Sequence, residues 1–174
     1  LICMMFTAAT ELGTTQRIEI LLGKSLESPI LILVFINGLM ALGRLYAGPI
    51  VHKLSITKVL LFSAIFSCLG LFLLANTSGA MTFLAAAVFA IGVCYFWPTM
   101  LSFVSEKIPE SGALGLSLMG GAGMLSVSFV LPQMGKLMDS NTTGSELLLL
   151  YAYIPAILIV AFLILHIYVK TKKI

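Results

Sequence analysis

The stretch LLLLYAYIPAILIVAFLILHIYV, Leu147 to Val169, contains no Asp, Glu, Lys or Arg. A helix rises about 1.5 Å per residue, so a run of this length crosses the roughly 30 Å hydrocarbon core of a bilayer. Working back towards the N-terminus, five further mainly apolar stretches are also long enough to cross a bilayer. The expected spans lie near 1–22, 29–51, 57–75, 80–104, 112–135 and 147–169. With 60% hydrophobic and 10% charged residues and a mean hydropathy of +1.11, a soluble globular domain is excluded on composition. The reading is an all-α integral membrane protein. Residues 1–174 form a single six-helix transmembrane bundle with connections too short for a soluble domain. Leu1 already sits in an apolar stretch, which leads to the expectation that the chain begins inside a helix of a longer protein.

Cys3, Cys68 and Cys94 all fall inside apolar spans. They read as small membrane-embedded residues, and no Cys/His spacing points to a metal. The lipid bilayer is the expected partner and nucleic acid is not. The net charge of +3 is small, and its distribution says more than its sum. Six spans divide the loops into two sides. One side carries Arg44, Lys53, Lys58, Lys107, Lys170, Lys172 and Lys173; the other carries Arg17, Lys24 and Lys136 beside Glu19, Glu27, Asp139 and Glu146. Lys and Arg favour the cytoplasmic side, so the C-terminus is expected in the cytoplasm of a cell (inner) membrane.

The spans differ in polarity. Those at 57–75 and 147–169 are almost wholly apolar and read as lipid-facing. The span at 112–135 is rich in Gly, Ala and Ser, residues that let helices approach closely in lipid. The first span carries Thr7, Thr10, Glu11, Thr14 and Thr15 at helical spacing, which makes one polar stripe. A solute path between the first, second, fourth and fifth spans is the economical reading.

Glu11 stands out. An ionised carboxylate near mid-membrane costs at least about 2.5 kcal/mol. A group that binds and releases a proton at that depth could couple proton flow to solute movement, or could hold a polar solute. The structural alternatives are that the span starts further upstream, which places Glu11 nearer the outer interface, or that Glu11 pairs with Arg17 or with a helix outside the chain. Thr14, one turn on, shares its stripe. Asn37 reads equally as a solute contact or an interhelical bond. Trp97 reads either as a stacking platform or as packing at a helix crossing. Pro98, Pro132 and Pro155 lie within spans and predict kinks, and His52 and His166 sit near span ends.

The stretch from Gly43 to Leu54, GRLYAGPIVHKL, followed by Lys58-Val59, resembles the short cytoplasmic loop between the second and third helices of a half in the major facilitator superfamily. Ala8 to Gly13, AATELG, resembles the acidic start of the second half in fucose-permease-like members. Gly92 with Phe96 to Met100 resembles their tenth helix, with Trp97 in place of the usual Phe. Gly120-Gly121-Ala122 with Pro132, Gly135 and Asp139 resembles their eleventh. The likeness covers the whole chain in order. It implies helices seven to twelve of a twelve-helix transporter, with a missing N-terminal six-helix half and a central site between the halves. It also implies that Glu11, Asn37 and Trp97 face the cavity, and that Arg44 and Lys53 belong to a cytoplasmic gate. The family's acidic residue before the basic pair is absent, since the chain reads Val51-His52-Lys53 there.

The expected function is secondary active transport by alternating access, as proton-coupled symport of a sugar or another small polar solute. A proton or sodium gradient would drive it, with no bound cofactor. Efflux antiport of a drug or metabolite is the alternative, and a non-transporting assembly subunit a third reading. The sequence lacks the HExxH or paired-carboxylate signature of an intramembrane enzyme.

Overall fold

The computed structural model describes residues 1–23, 29–139 and 143–172. Lys24, Glu27 and Lys173, counted above among the loop charges, lie outside the described residues. So do the side chains of His52, Asp139 and Lys172.

The described residues are helical, without a strand among them. Four segments are long and apolar enough to cross a membrane: Ile56–Asn76, Met81–Lys107, Pro109–Met138 and Gly144–Thr171. These correspond to the last four expected spans. The two N-terminal spans are helical but interrupted. The first runs as α1 (Ile2–Ala8), a π-helical turn (Ala9–Gly13) and α2 (Thr14–Leu22). The second runs as α3 (Pro29–Leu45) and a short α4 (Ala47–Lys53), separated at Tyr46. Then follow α5 (Ile56–Asn76), α6 (Met81–Cys94), α7 (Phe96–Lys107), a 3-10 turn (Pro109–Ser111), α8 (Gly112–Asp139) and α9 (Gly144–Lys172).

The boundaries have local causes. Thr143 and Glu146 close a capping box at the start of α9. The Thr143 amide donates to Glu146 Oε2 at 2.8 Å, and the Glu146 amide donates to Thr143 Oγ1 at 3.4 Å, which satisfies two donors the first turn leaves free. The break at Tyr95 precedes Pro98, whose ring removes a backbone donor. α8 and α9, by contrast, run unbroken through Pro132 and Pro155.

The packed centre is the trio α5, α6 and α9. α5 turns Leu60, Ser63, Ala64, Ser67, Gly70 and Leu71 inward at i, i+3, i+4 spacing. A methyl group added at Gly70 would fall on the backbone of Phe89, and one at Gly92 on the backbone of Ser67. The two antiparallel helices therefore cross in backbone contact, as small residues allow in lipid. Phe96 of α7 and Phe162 of α9 are both fully buried, with ring centroids 6.4 Å apart. Phe62, Ile65, Leu69 and Phe72 on α5, and Ile157, Val160 and Ile164 on α9, stay exposed. Both helices thus have a core face and an apolar outer face suited to lipid. α3 packs along α6, with Phe35 meeting Phe83 edge to face at 5.5 Å. α8 lies against α1 and is the least buried of the four long segments.

Candidate functional site

The polar stripe of the first helix turns inward. Thr7, Thr10 and Thr14 are fully buried and Glu11 is 3% exposed. The π-helical turn Ala9–Gly13 carries Glu11 at its centre. Such a turn widens the helix and misaligns its backbone ladder, so neighbouring hydroxyls take up carbonyls. Thr10 Oγ1 donates to the Phe6 carbonyl at 2.9 Å and Thr15 Oγ1 to the Glu11 carbonyl at 2.8 Å. From α8, Ser126 Oγ donates to the Met5 carbonyl at 2.6 Å. Single π turns of this kind are frequent at functional positions.

Arg44 of α3 reaches across to this turn. Its Nη2 donates to Glu11 Oε1 at 2.7 Å, a charge-assisted hydrogen bond and ion pair. Its Nε donates to the Cys94 carbonyl at 3.2 Å. That carbonyl is the one a regular helix would pair with the amide of residue 98, and Pro98 has none. The proline that interrupts the fourth apolar segment thus exposes an acceptor, and an arginine from another helix takes it. Local chain chemistry and tertiary contact meet in one atom.

The pair lies deep. Cys94 is the midpoint of the 27-residue segment Met81–Lys107, and Glu11 is near the middle of the helix running from Ile2 to Leu22. An ion at that depth costs about 2.5–3.5 kcal/mol on insertion scales, which pairing and the carbonyl contact offset. The pairing is incomplete: Glu11 Oε2, Thr14 Oγ1 and Thr99 Oγ1 are buried without a hydrogen-bond partner.

Arg44 therefore differs from its sequence-based assignment to the loop side and the gate. It stands nine residues, more than two turns, before Lys53. Lys53 itself is exposed at the end of α4 and forms no ion pair among the described residues. Nor is Arg17 the partner of Glu11. Asn37 is exposed on α3 and donates to the Leu33 carbonyl of its own helix at 2.8 Å, and among the described residues it bonds no other helix. Trp97 is half-buried, and its ring lies against α8 and α1. A methyl at Gly123 would come within 2.9 Å of Trp97 Cη2 and 3.4 Å of Ala8 Cβ. The glycine leaves the space the indole fills.

The structure thus joins Glu11 with Arg44, keeps Thr14 buried beside them on the same helix, and leaves Asn37 and Lys53 apart. Two groups escaped the sequence reading: the Cys94 carbonyl and Thr99. The signal for the first was present, since a proline inside an apolar span frees the carbonyl four residues earlier. Among the described residues, no group of three or more His, Cys, Asp or Glu side chains is arranged to hold a metal. Comparison of the chain with protein-family models, with curated proteins and with solved structures gives no match in any of the three.

Proposed function

We propose that this chain is the C-terminal half of a twelve-helix secondary transporter of the major facilitator kind. Its six spans would rock against a partner half around a mid-membrane site. The observation that carries the reading is the Glu11–Arg44 pair, a carboxylate and a guanidinium held between separate helices. Intramembrane charges of this sort belong to solute and proton pathways. The half-exposed Arg44 side chain and the exposed stripe of α3 that carries it and Asn37 supply the open side of such a site. Exposed α8, with open space at Gly120, Gly121 and Gly135, supplies a surface suited to close helix contact with the other half.

In this mechanism Glu11 alternates between pairing with Arg44 and carrying a proton, and a small polar solute, a sugar among them, moves with that proton. With Arg44 at mid-depth, the loop cations divide as Lys53, Lys58, Lys107, Lys170, Lys172 and Lys173 against Arg17, Lys24 and Lys136. This favours a cytoplasmic C-terminus. The test is proton-driven uptake by the full protein in proteoliposomes. Glu11→Gln is expected to abolish accumulation driven by a pH gradient. Undiminished accumulation would show the coupling role to be wrong.

A further inference from the structure

Arg44 touches both the buried carboxylate and the open face of α3. Its Nε and one Nη2 hydrogen are engaged, by the Cys94 carbonyl and Glu11 Oε1. A guanidinium carries five donors in a planar fork, so three remain, and among the described residues they have no partner. The arginine side chain is 41% exposed against 5% for Glu11. A solute approaching from the open side therefore meets the Arg44 side chain before the carboxylate. Asn37 stands seven residues earlier on the same stripe, about 10 Å along the axis. Gly38 and Ala41 between them are exposed, and Gly38 has open space at its Cα.

We propose that this face binds a small organic anion in its singly charged form, a carboxylate or the monoanion of a phosphate ester, with its charged head on the free donors of Arg44 and its polar body towards Asn37. The proposal rests on the proton-coupled transporter reading and narrows its solute. Planar forks suit two-point recognition of carboxylate and phosphate, whereas a neutral solute leaves the cation uncompensated once Glu11 is protonated. The charge balance follows. In the empty site the Glu11 carboxylate and the Arg44 guanidinium sum to zero. An anion on Arg44 alone would leave one net negative charge at mid-depth. A proton from the same aqueous side, taken by the Glu11 carboxylate as an O–H bond, ends the ionic contact with Nη2. It also returns the loaded site to zero. One anion and one proton enter together and leave together, and both states cross the membrane field uncharged.

The groups around Glu11 fit this exchange. Arg44 is the charge in contact with it. Cys94 lies beyond Arg44, and Tyr95 follows it in the chain. α8 contributes no ionisable residue between Gly112 and Gly135. On α9, the Tyr151 ring packs against Gly13 while its hydroxyl donates to the Val130 carbonyl at 3.4 Å.

The experiment is thermal stabilisation of the full purified protein at pH 6 and pH 8. The panel is L-lactate, succinate, glycerol 3-phosphate and inorganic phosphate, set against galactose and glycerol. At least one anion is expected to raise the Tm. Because binding takes up a proton at Glu11, the apparent affinity for L-lactate, singly charged at both pH values, should fall as pH rises, by up to tenfold per unit. That for the anions that lose a second proton over this range should fall more steeply. Arg44→Lys, which keeps the charge and loses the fork, should weaken the stabilising anion at least tenfold. Glu11→Gln should remove the pH dependence for L-lactate and leave only the ligand's own titration for the others. Stabilisation by galactose or glycerol alone, or by none of the six solutes, overturns the anion proposal. Proton-driven uptake of a neutral solute would then leave the transporter reading standing, and absence of proton-driven uptake in the wild type would overturn both.

Discussion

The α5–α6 crossing and the α3 contact with the first helix hold neighbouring helices by opposite means. At the crossing, Gly70 and Gly92 bring the two backbones together. At the other contact a π-helical turn widens the first helix, and Arg44 spans the gap to Glu11 and Cys94. Close packing is short-ranged and fails with any displacement of the backbones. A charge-assisted hydrogen bond can be exchanged for a proton or a ligand without disturbing the helices around it. The first contact suits a part that stays fixed, and the second a part with two states.

The contrast can be broken first at its rigid side. Gly92→Leu puts a branched side chain against the Ser67 backbone. It should cost about 3 kcal/mol or more, visible as loss of folded, monodisperse protein and an earlier midpoint in a detergent unfolding titration. The polar side is expected to be softer. Arg44→Met leaves the Glu11 carboxylate buried without its cation and should cost about 1–3 kcal/mol, moderated by the partial exposure of the Arg44 side chain. Adding Glu11→Gln to it should recover much of that loss, because the uncompensated charge is gone. A double-mutant cycle with no coupling would mean the pair does not contribute to stability. The smallest change concerns the border between the two regions. Gly123→Ala crowds Trp97 by one methyl and should cost about 1 kcal/mol. As Trp97 is the sole tryptophan, its fluorescence maximum should shift with it, and an unmoved spectrum would place the ring elsewhere.

Much of the architecture was legible in the residues. Apolar runs of bilayer length located the last four segments to within a few residues, because apolar length in lipid leaves the backbone no option but to bond within its own helix. Polarity also marked Glu11 and the threonine stripe as an inward face. Less was legible at the first two spans. Nothing in AATELG announces a π turn, since one extra residue in a helical turn leaves no compositional trace. Arg44 looked like a loop cation because a linear reading measures its distance from a span end. The length of its side chain and the tilt and overlap of helices decide its actual depth.

The sequence by itself determined the solvent, the helical class and the list of polar residues that lipid would not tolerate unpaired. Each follows from short-range chemistry: hydropathy, helical period and backbone hydrogen bonding. Tertiary structure alone decided which of those residues meet. Glu11 and Arg44 are 33 positions apart, and Arg44 and Cys94 are 50 apart. Contacts at such separations depend on how whole helices stack, so the pairing that gives the site its chemistry became visible only in the folded bundle.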